Sequence, residues 1–199
     1  IERADSIAVD FHKLFYQPIS CGAFLIRDGT DFELMARNTA YLNPADHEGG
    51  SVPNLVSKSV QTTRRFDALK PYVAFRALGR QRLGSLVAET LDLAADAAEL
   101  IETDDDFELV QEPRLNTVVF RYLPRPEMDD DIIDHLNAAV RRLLLEDGRA
   151  VVARTEVDNV TSLKFTLLNP TTKVDDIVMM LDTIRDCGRA VREFREEVQ

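Results

Sequence analysis

The chain has 199 residues, 45% hydrophobic and 30% charged, which suits one sizeable core or one domain plus part of another. Its net charge of -11 argues against a nucleic-acid or anionic-membrane surface, since either partner would be repelled. No apolar run is long enough to cross a bilayer as a helix. The two cysteines, Cys21 and Cys187, make no metal-ligand or disulfide spacing, so a soluble, cytoplasmic protein without a metal is expected.

The chain starts at Ile1 and strand-like residues follow within six positions, so its beginning reads as an internal cut. "SIAVDF" (6–11) alternates and is rich in β-formers, predicting a short strand. "CGAFLIRD" (21–28) predicts a second strand, apolar enough to be buried on both faces. The proline of "QPIS" between them favours turn or extended backbone. "YLNPADHEGGSVPN" (41–54) mixes Gly, Pro, Asn and charge and reads as a long loop.

The apolar period then becomes helical. Phe66, Leu69, Val73 and Leu78 predict a helix over about 55–78, with Gly79 closing it. Leu83, Leu86, Val87, Leu91, Ala94, Ala98 and Ile101 form the stripe of a second helix, ended by "TDDD". "FELVQ" and "NTVVFRYL" predict a strand pair. Residues 129–146 predict a helix with acids in its first turn. "AVVARTEV" and "VTSLKFTLL" predict two strands joined by the turn pair "DN". A last helix follows Asn169-Pro170, with Thr172 and Asp175 at capping-box spacing. The order α, β-β, α, β-β, α predicts a small α+β domain.

Lys13 stands between two core-like segments. Desolvation by Leu14, Phe15 and Tyr16 would disfavour its ammonium, and a neutral amine is a nucleophile for a carbonyl group. His12 beside it can donate to an anion. From the residues alone, a solvated surface lysine is the competing reading.

"ADSIAVDFHK…CGAFLIRD", "YLN", "PNLVSKSVQTTRRFDALK" and "LKFTLLNPTT" together resemble the pyridoxal-phosphate-dependent group II amino-acid decarboxylases. The wording is most similar to the diaminobutyrate and siderophore-type lysine decarboxylase branch. The fold implied is α/β: the end of a type I cofactor-binding large domain over 1–70, then a small C-terminal α+β domain over 71–199. The resemblance implies that Lys13 is the Schiff-base lysine for pyridoxal 5'-phosphate and that His12 stands where family members direct a histidine to the cofactor phosphate. Both can reach one group only if the strand ends at this point, because neighbouring side chains on a strand diverge. Asp10 stands where several family members carry an asparagine near the phosphate, but a carboxylate would be repelled by that dianion, so the role is not carried over.

By the same resemblance, Tyr41 lies on a mobile loop and assists reprotonation after CO2 leaves. Thr63, in "QTTRRF", reaches the cofactor phosphate of a neighbouring subunit, where backbone amides at a helix start suit an anion. Packing and helix capping are the plain alternatives for these two residues. In "VTSLKFTLL", Leu163, Phe165 and Leu167 share one face and Ser162, Lys164 and Thr166 the other. That polar face reads as solvated. The family instead has an arginine here for the substrate carboxylate, and Lys164 in its place gives up bidentate geometry.

The function implied is decarboxylation of a small L-amino acid, preferably a diamino acid such as 2,4-diaminobutyrate or lysine, by a homodimer with its site at the interface. An acidic protein suits a cationic substrate. The family's pyridine-nitrogen aspartate and ring-stacking residue precede the lysine segment, so an N-terminal remainder is expected to supply them and this chain alone to be inactive. Another pyridoxal-phosphate lyase or transaminase, or a non-catalytic dimerisation module, are the alternatives.

Overall fold

A computed structural model describes residues 1–36, 41, 55–61, 63–124 and 128–198, with side chains other than those of 57 and 194–198. The chain forms two compact units, Ile1–Leu83 and Gly84–Gln199.

In the first unit, β1 (Ser6–Asp10) and β2 (Gly22–Ile26) pair antiparallel, with Ala8 opposite Phe24. The expectation that the second strand is covered on both faces is not met: Phe24 and Leu25 are 57% and 54% exposed. Among the described residues the ladder has two strands, so each strand keeps an open edge and faces that these residues do not fully cover. Short 3-10 turns follow at Gly29–Leu34 and Val56–Lys58.

Helix α1 spans Leu69–Glu102 with a break at Gly79. A helix from 55 onward, as predicted, would place Pro71 in its interior. Proline has no amide to donate, and its ring collides with the carbonyl four residues back. The helix therefore starts at Leu69, with Pro71 in its first turn, where no amide partner is needed. Gly79 adopts φ 73° and ψ 166°, a conformation essentially reserved for glycine, and so ends the first helical stretch as expected.

The second unit follows the predicted order. After α1 come β3 (Phe107–Gln111), β4 (Thr117–Tyr122), α2 (Asp130–Glu146), β5 (Ala153–Val157), β6 (Val160–Thr166) and α3 (Val174–Val198). The antiparallel sheet has the order β3-β4-β6-β5. Asp158 and Asn159 both take positive φ, 52° and 65°, as the tight turn between β5 and β6 requires. Lys173 N–H donates to Asp176 Oδ2 at 2.8 Å. The cap of α3 is thus one residue later than the predicted Thr172–Asp175 pair, and Asn169 Oδ1 instead turns the chain by accepting from Thr171 N–H at 3.0 Å.

Val118, Phe120, Leu163 and Phe165 of the sheet pack with Ala94 and Ile101 of α1, Leu136 and Val140 of α2, and Ile177 and Ile184 of α3. The "TDDD" segment that ends α1 also anchors α3: Arg185 donates to Asp104 and Asp106 at 2.6 Å each, and its guanidinium lies 5.4 Å from the Phe107 ring centroid.

Candidate functional site

β1 ends at Asp10. Beyond it the chain turns: Lys13 N–H donates to Asp10 O at 3.3 Å and Tyr16 N–H to Lys13 O at 3.0 Å. The strand thus stops before His12 and Lys13, which meets the condition set by the sequence for both side chains to serve one ligand. Tyr16 closes the turn with φ 56°.

The expected desolvation of Lys13 is not found. Its side chain is 64% exposed, and its ammonium lies 2.6 Å from Asp10 Oδ2. The neighbouring aromatics pack on each other instead: Phe11 meets Phe15 edge-on at 5.3 Å, and Phe15 reaches Phe75 of α1 at 6.3 Å. Hydrogen bonding to Lys13 holds the Asp10 carboxyl below the ordinary aspartate value of 3.8. The sequence reading left Asp10 without a role; the three-residue spacing of an acid and a lysine across a turn was the available signal.

Cys21 grips the His12 ring. Nδ1 lies 2.8 Å from Cys21 O and 3.3 Å from Cys21 N. A second partner would meet the imidazole at Nε2. Cys21 is itself buried, and its thiol contacts Asp67 O at 3.5 Å.

Tyr41 is 92% exposed, and the rest of its expected loop, 42–54, lies outside the described residues. Thr63 is exposed and six positions ahead of α1. It does not stand at a helix start, so the amide argument made for it does not apply.

Lys164 belongs to the second unit. It is half-buried in β6, with Val119 of β4 and Ala153 of β5 as its cross-strand neighbours. Its face of the sheet is solvated only in part: Thr166 is exposed, but Ser162 is 0% and Val119 4% exposed. The structure brings Asp10, His12 and Lys13 into one turn of the first unit, whereas Lys164 belongs to the second unit. Among the described residues no group of three or more His, Cys, Asp or Glu could hold a metal ion, and no helix is long and apolar enough to cross a membrane.

An accessible primary amine beside an imidazole, both just past the end of a strand, can meet a carbonyl group and an anionic group of one compound. Pyridoxal phosphate is such a compound, and Lys13 and His12 fit its aldehyde and one of its anionic contacts.

The chain belongs to the pyridoxal-dependent decarboxylase family, whose conserved domain matches residues 1–123. It is 43% identical over 181 residues to an L-2,4-diaminobutyrate decarboxylase of Acinetobacter baumannii, covering 91% of this chain and 35% of that protein. A Rhizobium meliloti L-2,4-diaminobutyrate decarboxylase is 41% identical, with 95% of this chain and 38% of that protein covered. Among solved structures, the glutamate decarboxylase domain of a Vibrio parahaemolyticus diaminobutyrate-pyruvate transaminase and L-2,4-diaminobutyrate decarboxylase matches with TM-score 0.77 and 38% identity, over 95% of this chain and 35% of that one. The chain therefore spans a little over a third of the length of these relatives.

Proposed function

We propose that this chain carries the lysine-bearing segment and the C-terminal α+β domain of a pyridoxal-phosphate-dependent decarboxylase acting on L-2,4-diaminobutyrate, with lysine as a further candidate substrate. The observation that carries the reading is the turn holding Asp10, His12 and an accessible Lys13, inside the segment that matches the family. Similarity to two L-2,4-diaminobutyrate decarboxylases supports the choice of substrate.

When bound, the cofactor supplies an electron sink for the charge left on the substrate carbon as CO2 departs. Lys13 offers its amine to the cofactor carbonyl, and Asp10 keeps that side chain turned toward the end of β1. His12, fixed through Nδ1, presents Nε2 to an anionic group. Lys164 binds the substrate carboxylate as a point charge. Tyr41 returns a proton to the substrate carbon, and its loop keeps water out. Thr63 contacts the cofactor phosphate of a neighbouring subunit. The type I large domain ends near residue 70, an N-terminal portion completes it, and the working protein is a cytoplasmic homodimer with its site at the interface.

The test uses the full protein with pyridoxal phosphate, borohydride reduction and peptide mapping, followed by CO2 release from a panel of amino acids. Label on Lys13 and fastest turnover of L-2,4-diaminobutyrate are expected, with both abolished in Lys13→Ala. Absence of label at Lys13 in a folded protein would overturn the reading.

A further inference from the structure

We infer that Lys70 is a positioning residue for the His12–Lys13 turn, acting through the Ser20–Cys21 peptide; this rests on the cofactor-facing roles proposed above for His12 and Lys13. The two ends of this connection are about fifty residues apart in sequence and meet within the first unit.

An ammonium has three hydrogens to donate. Lys70 Nζ donates to Pro18 O at 3.1 Å and Ser20 O at 2.8 Å, and it forms an ion pair with Asp67 Oδ1 at 2.8 Å. Its side chain is only 23% exposed, so these contacts replace most of its water. Two carbonyl oxygens converging on one point repel each other, and a cation between them removes that repulsion. Arg65 adds a second tie by donating to Ser20 Oγ at 3.1 Å. Both basic residues belong to the approach and first turn of α1, so together they fasten the 17–20 segment to that helix.

The consequence for the site follows from peptide planarity. Ser20 C=O and Cys21 N–H belong to one rigid plane. Lys70 holds its oxygen, and its N–H lies 3.3 Å from His12 Nδ1. Cys21 O, on the next peptide, receives His12 N–H at 3.2 Å and lies 2.8 Å from the ring nitrogen. Fixing the Ser20 carbonyl therefore orients the groups that hold His12, and His12 is joined directly to Lys13. Without the Lys70 cation, the 17–20 segment keeps only the Arg65 bond to Ser20 Oγ as its tie toward α1, and the Ser20–Cys21 peptide beside the imidazole loses its fixed oxygen.

Lys70→Met removes the donors while keeping the length of the side chain, and Lys70→Arg keeps a cation. The measurements are amide hydrogen exchange and imidazole nitrogen NMR of the full protein without added cofactor. The His12 signal is assigned by its loss in His12→Gln. In Lys70→Met, exchange at the Cys21 and His12 amides rises roughly tenfold or more while Phe120 and Val140 keep their protection. The His12 Nδ1 signal moves toward that of a free imidazole, and Lys70→Arg restores most of both. A separate titration of the full protein needs about tenfold more pyridoxal phosphate for half-saturation in Lys70→Met, as expected when a site loses its pre-organisation.

Unchanged exchange and an unchanged imidazole signal in folded Lys70→Met overturn the inference. If that variant does not fold, Lys70→Gln is measured in its place: an intermediate rise in exchange supports the clamp and no rise overturns it. Because exchange is read without cofactor, failure of the wild type to take pyridoxal phosphate at Lys13 would count against the proposed function alone.

Discussion

Asn137 of α2 closes both hydrogen-bonding groups of Tyr122 in β4: Oδ1 accepts Tyr122 N–H at 2.9 Å and Nδ2 donates to Tyr122 O at 3.0 Å. The register explains why a side chain is needed there. Leu123 N–H donates to Asp106 O at 2.8 Å. The adjacent pair, Phe107 with Tyr122, is therefore the non-hydrogen-bonded kind, and the amide groups of Tyr122 point away from β3. On that side the ladder with β6 stops at Phe120 opposite Leu163. Asn137, itself 0% exposed, takes the place of the missing strand residue.

Replacing Asn137 by Ala leaves a buried N–H and C=O without partners. The expected loss of stability is about 2–4 kcal/mol, read from the urea midpoint at unchanged slope. A loss under about half a kcal/mol would mean that the sheet can re-pair Tyr122 by itself.

Gly188 of α3 touches the same tyrosine. A β-carbon built there would lie 2.1 Å from Tyr122 Cε1 and 2.7 Å from Cζ. The ring is 2% exposed and has no room to swing away. Gly188→Ala should destabilise by about 1–3 kcal/mol, even though alanine favours the helix. Combining it with Tyr122→Leu should recover part of that loss in a double-mutant cycle; strict additivity would remove the contact as the cause.

Stability should also fall at alkaline pH. Burial, with the Asp106 charge second, raises the Tyr122 hydroxyl above its ordinary 10.0, and burial likewise raises the Cys187 thiol above 9.0. Between the unfolded and folded values the unfolded chain has lost protons that the folded chain keeps. Stability is then fully present below the unfolded values and declines as pH rises through 9 and then 10. Tyr122→Phe should lower that dependence above pH 10, as followed by thermal melts across the alkaline range. A slope identical to wild type would show that other groups cause the decline.

At Gly79 a β-carbon would meet nothing within 4 Å, so a substitution there reports conformation alone. Alanine at φ 73° and ψ 166° should cost about 1–3 kcal/mol, measured as a lower Tm. A neutral or higher Tm would indicate that α1 can straighten through this position.

Much of the second unit was legible because its signals are local. The apolar stripe of α1 after Gly79, the acids opening α2 and the Asp158–Asn159 turn each act within a few residues. The departures trace to single residues or to distant cover. Pro71 ruled out the helix start predicted at 55. The apolar character of 21–28 predicted burial that a two-stranded ladder cannot provide. The aromatics after Lys13 turned toward Phe75 rather than toward the amine. Lys13, the proposed cofactor lysine, stood out through the wording of its segment, whereas its ion pair with Asp10 required the turn.

By itself, the sequence determined the type and order of the elements from α1 to α3 and the family to which the lysine segment belongs, since periodicity, caps, turn pairs and motif wording are all short-range. The tertiary structure alone decided the strand order β3-β4-β6-β5, the clasp of Asn137 on Tyr122 and the hold of Lys70 on the turn before Cys21. These join residues between fifteen and about fifty positions apart. No local spacing encodes such meetings; each exists because burial leaves a polar group that only a distant side chain or strand can satisfy.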